Sequence, residues 1–123
     1  MEYISTNSAP AAIGPYSQAI VCGNTLYASG QIPINPETGA IEAKDITGQT
    51  EQACKNVGEV LKAAGMGFEN VVKTTCFLSD IGNFAAFNEV YAKYFVSKPA
   101  RSCVAVKDIP KGALCEIEII AVR

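Results

Sequence analysis

Two short stretches carry the side chains best suited to chemistry: SKPARSCVAV, Ser97 to Val106, and CEIEIIAV, Cys115 to Val122. The first sets a guanidinium, Arg101, two positions before a thiol, Cys103, at the mouth of an apolar run. The second sets two carboxylates, Glu116 and Glu118, at strand spacing. Taken as an antiparallel pair around KDIPKG, with Val106 facing Ala113, the two runs put Cys103 opposite Glu116 and Arg101 opposite Glu118. Side chains alternate along a strand, so all four would share one face, and a one-residue slip would break the agreement. Such a patch supports two readings. One is a cross-strand ion pair, worth about 0–1 kcal/mol if exposed. The other is a site in which the arginine clamps a small carboxylate through two parallel N–H bonds while a glutamate handles a water.

The chain contains no histidine. Ser-His-Asp and Cys-His nucleophile pairs and imidazole metal sites are therefore excluded. Proton transfer near neutrality falls to carboxylate, lysine, tyrosine, cysteine, backbone or water. Arg101 would favour a Cys103 thiolate, but without an imidazole base the thiol reads better as a small buried side chain. Tyr16, in GPYSQA, is a packing residue or a proton donor. Ser29 and Gly30, in ASGQIP, end a strand where backbone N–H groups can face a ligand. Lys73 reads as an exposed strand lysine rather than a Schiff-base former.

These residues need a scaffold. The 123 residues suit one domain, 1–123, burying roughly two-thirds of the surface its unfolded chain exposes. Apolar residues make up 49% and charged residues 18%, a globular balance. The net charge of -2 builds no basic face, so no nucleic-acid partner is expected. No apolar run is long enough to cross a membrane. The five cysteines are odd in number, none in C-x-x-C spacing, and MEYISTNSAP lacks the pattern of a signal peptide. Free thiols in a reducing cytoplasm follow.

Gly23-Asn24, between two apolar runs, predicts a hairpin with a type II′ turn. In DITGQTEQACKNVGEVLKAAG, Ala53, Val57, Val60, Leu61 and Ala64 recur at helical spacing. Asp45 or Thr47 can cap its start, and Gly65 suits its left-handed stop. NVVKTTCFL alternates as a strand. A second helix begins near Asp80, with Phe84, Phe87, Tyr91, Tyr94 and Phe95 as its apolar stripe. Asn88 falls on that stripe, where an amide needs a partner; a nearby backbone group is the simplest one. The predicted order is β-β-α-β-α-β-β, an α+β fold with two helices on one face of a mixed sheet. The strands are apolar on both sides, so the other sheet face calls for self-association.

Together the segments IGPYSQA (13–19), LYASGQIP (26–33), TEQACKNV (50–57), PARSCVAV (99–106) and CEIEIIAV (115–122) resemble the RidA (YjgF) family of reactive-intermediate deaminases over essentially the whole chain. The resemblance implies a chorismate-mutase-like fold assembled as a homotrimer, with ligand clefts between subunits. It implies hydrolysis of enamines and imines such as 2-aminoacrylate, 2-iminopropanoate and 2-iminobutanoate to 2-keto acids and ammonia, with no metal or organic cofactor. By the same resemblance Arg101 grips the substrate carboxylate. Glu116 activates water with help from the main-chain carbonyl of Cys103. Tyr16, Ser29, Gly30 and Asn88 line the cleft. The connection from Asn88 to Arg101 is shorter than in common bacterial members. The alternative function is a trimeric binding regulator that senses keto or imino acids without turning them over.

Overall fold

The computed structural model describes residues 1–123, and one six-stranded sheet with two helices on one face accounts for the chain. The strands are β1 (Glu2–Ile4), β2 (Ala19–Cys22), β3 (Thr25–Ala28), β4 (Val71–Leu78), β5 (Ala100–Ala105) and β6 (Cys115–Val122). The helices are α1 (Ile46–Ala63) and α2 (Phe84–Tyr94). The sheet order is β1-β2-β3-β6-β4-β5, antiparallel throughout except for the parallel pair β4–β5. The α+β class, the mixed sheet and the placement of both helices agree with the sequence reading. The three-residue β1 is an addition to it.

Local chemistry explains the elements. The β2–β3 hairpin turns at Gly23, whose φ of +61° is the only positive one in the turn, as type II′ requires. Asp45, not Thr47, caps α1: its Oδ1 accepts from the Gly48 N–H at 2.8 Å. The helix ends where Gly65 (φ +72°) donates to Lys62 O and Met66 donates to Leu61 O, a Schellman stop. A 3₁₀ turn at Ile81–Asn83, held by Asp80, leads into α2. The expected stripes are buried at Ala53, Val57, Val60 and Leu61 of α1, at Phe87 and Tyr91 of α2, and at Phe95 just past its end. Phe84 departs from its stripe at 37% exposure.

The expected β5–β6 hairpin does not form. β6 pairs with β4, β4 pairs with β5, and the 106–114 connection carries the chain past β4. The reason is burial. Thr74, Cys76 and Leu78 of β4 and Cys115, Ile117 and Ile119 of β6 are all at most 2% exposed, whereas β5 has no fully buried residue and suits an edge.

The register then assigns the faces. Arg101 pairs with Thr74 and Cys103 with Cys76, and Thr74 and Cys76 in turn face Ile119 and Ile117. That row looks toward the helices. Phe77 faces Glu116 and Val104, and Thr75 faces Glu118 and Ser102, so this row looks the other way. The expectation that Arg101, Cys103, Glu116 and Glu118 share one face is therefore wrong. Arg101 and Cys103 share the helix side; Glu116 and Glu118 share the open side. On that open side the cross-strand row Tyr3, Ile20, Tyr27 and Ile120 stays uncovered within one chain, with Tyr27 at 53% exposure.

Candidate active site

The sequence-selected residues gather into two groups. The first lies where α2 meets the edge strand. Arg101 Nη1 donates to Asn88 Oδ1 at 2.7 Å. Asn88 thus finds its partner in a side chain, not in the backbone group expected of it. The guanidinium carbon sits 4.8 Å from the Tyr91 ring centroid and 5.4 Å from that of Phe84. No carboxylate reaches it. The chain's one ion pair is Arg123–Glu2 at 3.8 Å, so the ladder ion-pair reading of Arg101 also fails. An open hollow of about 690 Å³ lies beside this group, lined by Asn88, Tyr91, Lys98 and Arg101 among others.

Cys103 stands two residues along on the same face. Burial raises its thiol pKa, and the nearby Arg101 charge only partly opposes this. The sulfur is a poor nucleophile in that state. Its carbonyl is better placed. The Val106 N–H donates to Leu78 O. Peptide groups alternate in direction along a strand, so those of Arg101, Cys103 and Ala105 turn toward the free edge of the sheet.

The second group lies on the open side. Gln31 N–H donates to Ile117 O at 2.8 Å and Ile117 N–H donates to Gln31 O at 3.1 Å. This bridge lays Gly30 against Glu116 so closely that a Cβ on Gly30 would fall 1.9 Å from Glu116 Oε2. Asn56 of α1 steadies the same segment by donating to Ile32 O and Ile34 O at 3.0 and 2.9 Å. Tyr16, Ser29, Gly30 and Glu116 line one hollow of about 310 Å³. Ser29 is largely committed: its N–H donates to Gln18 O and its hydroxyl to Ser17 O. The Gly30 N–H has no partner, so one backbone donor is free there rather than two. Tyr16 is 54% exposed, a rim residue and not a core one. Burial, then the Glu118 charge, holds the Glu116 carboxyl above the usual carboxylate range. Such a group takes and returns a proton more readily near neutrality than an ordinary glutamate.

Lys73 is half-buried on the open face beside Tyr27 and Glu118, away from both groups. No cluster of histidine, cysteine, aspartate and glutamate could hold a metal ion. Reading the sequence alone missed Thr74, Phe84 and Tyr91 as neighbours of Arg101. The misplaced amide of Asn88 was the signal that could have found them.

Residues 6–123 match the family model described as Endoribonuclease L-PSP. The chain is 50% identical over 121 residues to human 2-iminobutanoate/2-iminopropanoate deaminase, covering 98% of this chain and 88% of that one. Its structure matches that of E. coli TdcF with bound serine at a TM-score of 0.95, with 42% identity over 100% of this chain and 99% of that one. RidA from the Antarctic bacterium Psychrobacter sp. matches at a TM-score of 0.95 with 40% identity, covering 100% of both chains. Motifs, topology and relatives agree, and the chain belongs to the L-PSP family, the RidA (YjgF) proteins.

Proposed function

We propose that this protein is a 2-iminobutanoate/2-iminopropanoate deaminase whose catalytic cleft is built from two copies of the chain. The observation that carries the proposal is the pairing of an arginine fork free of any carboxylate with a glutamate of raised pKa, on opposite faces of one sheet. In one chain they cannot grip the same small molecule. Between two chains, the Arg101 group of one can meet the Glu116 group of its neighbour. The uncovered open face and the free β5 edge support that assembly, which we take to be a homotrimer. The five cysteines are unpaired and no helix is long and apolar enough to cross a membrane; we place the protein in the reducing cytoplasm. A disulfide-linked form recovered from intact cells would refute that placement.

The chemistry asks little of the protein. A protonated imine is already electrophilic at C2. Arg101 binds the substrate carboxylate through its planar fork. A water donates to the Cys103 carbonyl and to Glu116, which removes its proton as the oxygen bonds to C2. The C=N bond becomes the C–N single bond of a carbinolamine, and Glu116 returns the proton to nitrogen. As the C–N bond breaks, Glu116 takes the hydroxyl proton to leave the C=O of the 2-keto acid, then passes it to the departing ammonia, which leaves as ammonium. Tyr16 and the Gly30 N–H face the cleft from the Glu116 side. Positioning and one general base suffice, so histidine is dispensable.

A coupled assay with a threonine or serine dehydratase tests the activity: keto-acid release should accelerate. Saturable binding of 2-oxobutanoate without turnover would instead favour the regulator reading. Mixing and reassembling Arg101→Lys with Glu116→Gln chains tests the two-copy site. Random assembly in a closed ring restores both groups in about a quarter of the clefts. No recovery over either parent variant would place the site within one chain.

A further inference from the structure

The surroundings of Arg101 are notable for what they lack, which is negative charge. Around the guanidinium stand one amide oxygen, Asn88 Oδ1 at 2.7 Å, and the rings of Tyr91 and Phe84. A carboxylate there would occupy the fork that a substrate needs. Ring faces attract a cation and orient it without neutralising it.

The inner ring is itself locked. Tyr91 stacks on Phe95 with centroids 4.3 Å apart and planes 17° apart. Its hydroxyl hydrogen-bonds with the buried Thr74 hydroxyl at 2.7 Å. Thr74 is the cross-strand partner of Arg101, so the strand beside the arginine also fixes the ring under it. The outer ring, Phe84, leaves the core at 37% exposure and finds its place over the arginine instead.

We infer that Phe84 and Tyr91 are positioning residues for the deaminase reaction, holding the Arg101 fork aligned, charged and open to the substrate carboxylate, with the Tyr91–Thr74 bond setting the inner ring. The inference rests on the imino-acid reading above. Its physical content is pre-organisation: an arginine side chain loses much rotamer freedom on binding unless it is already ordered. The carboxylate is gripped alike in ground and transition states, so loosening the fork raises KM and leaves kcat unchanged.

The experiment compares Phe84→Leu, Phe84→Tyr and Tyr91→Phe with the parent by two readouts. One is steady-state turnover of 2-iminobutanoate; the other is calorimetric binding of 2-oxobutanoate, which needs no turnover. Phe84→Leu should raise KM and the oxobutanoate Kd together by about tenfold with kcat unchanged. Phe84→Tyr restores a ring and should restore both constants. Tyr91→Phe keeps the ring, loses the Thr74 bond, and should raise both by about threefold. Parent-like KM and Kd in Phe84→Leu and Tyr91→Phe would overturn the inference. A fall in kcat at constant KM would also overturn it, because that places the rings at the reacting atoms. A parent that binds oxobutanoate without turnover refutes the reaction alone, and the Kd values then decide the positioning role. A parent that does not bind oxobutanoate refutes both.

Discussion

Gly30→Ala offers a sharp test of Glu116, because the perturbation can be sized from the structure. The new methyl carbon would lie 1.9 Å from Glu116 Oε2, 2.8 Å from Cδ and 3.0 Å from Cγ. Ordinary contacts are about 3.5 Å, so the carboxyl must retreat by about 1.5 Å. The obstructing atoms are the end of a flexible side chain, and Gly30 does not adopt a positive φ. The fold should therefore absorb the change. Reduced freedom of the unfolded chain should even add about 0.4–1 kcal/mol of stability. The active site should not absorb it: displacing a reacting group by about 1 Å can cost roughly 100-fold in rate. The assay is kcat from the dehydratase-coupled reaction, beside thermal unfolding and calorimetric binding of 2-oxobutanoate. We expect kcat to fall about 100-fold, Tm to hold or rise, and binding to survive, because the proposed cleft takes its Arg101 clamp from the other copy. A Gly30→Ala protein with parental kcat would show that Glu116 need not sit where the structure puts it, and the general-base argument would fail.

Arg101→Lys should lower kcat/KM by about 30- to 100-fold, because an ammonium cannot reproduce two parallel N–H bonds; parental kinetics would remove the clamp. The acid limb of kcat/KM should lie above the ordinary glutamate range and vanish, with most of the rate, in Glu116→Gln. A carboxyl with a raised folded pKa favours the fold fully below its unfolded pKa, and that contribution is lost as pH rises through the folded value. Glu116→Gln should thus match or exceed the parental Tm at neutral pH, an advantage absent in acid; a lower Tm at neutral pH would contradict the burial argument. Cys103→Ala should keep most activity, since the proposed mechanism uses only its main-chain oxygen, and a folded but inactive variant would restore the thiol as nucleophile.

Much of this architecture is legible in the residues. Both helices follow from apolar spacing, α1 from its Asp45 cap to its Gly65 stop, and the first hairpin from Gly23-Asn24. RSCVAV and CEIEIIAV are consecutive in the chain but not neighbours in the sheet, so a hairpin between them is the wrong expectation. Two features argued otherwise. The 106–114 connection has no two-residue hairpin signal and is long enough to pass a strand. The helix between NVVKTTCFL and RSCVAV makes those two strands the natural parallel pair. The longer, more apolar β6 then takes the central position. Which side of the sheet each candidate side chain takes was not readable, because one strand inserted between two others changes which side chains meet. Phe84 looked like core by spacing alone; only its place over Arg101 shows why it stays at the surface.

The opposed faces of Arg101 and Glu116 have a genetic consequence. If the cleft is built from two copies, as proposed, a chain whose two half-sites point in different directions takes part in two catalytic centres at once. A copy damaged at both positions would silence two centres while contributing to neither, so a defective allele should depress activity below its share of the expressed protein. On the same proposal, turnover per chain should also fall on dilution as copies separate.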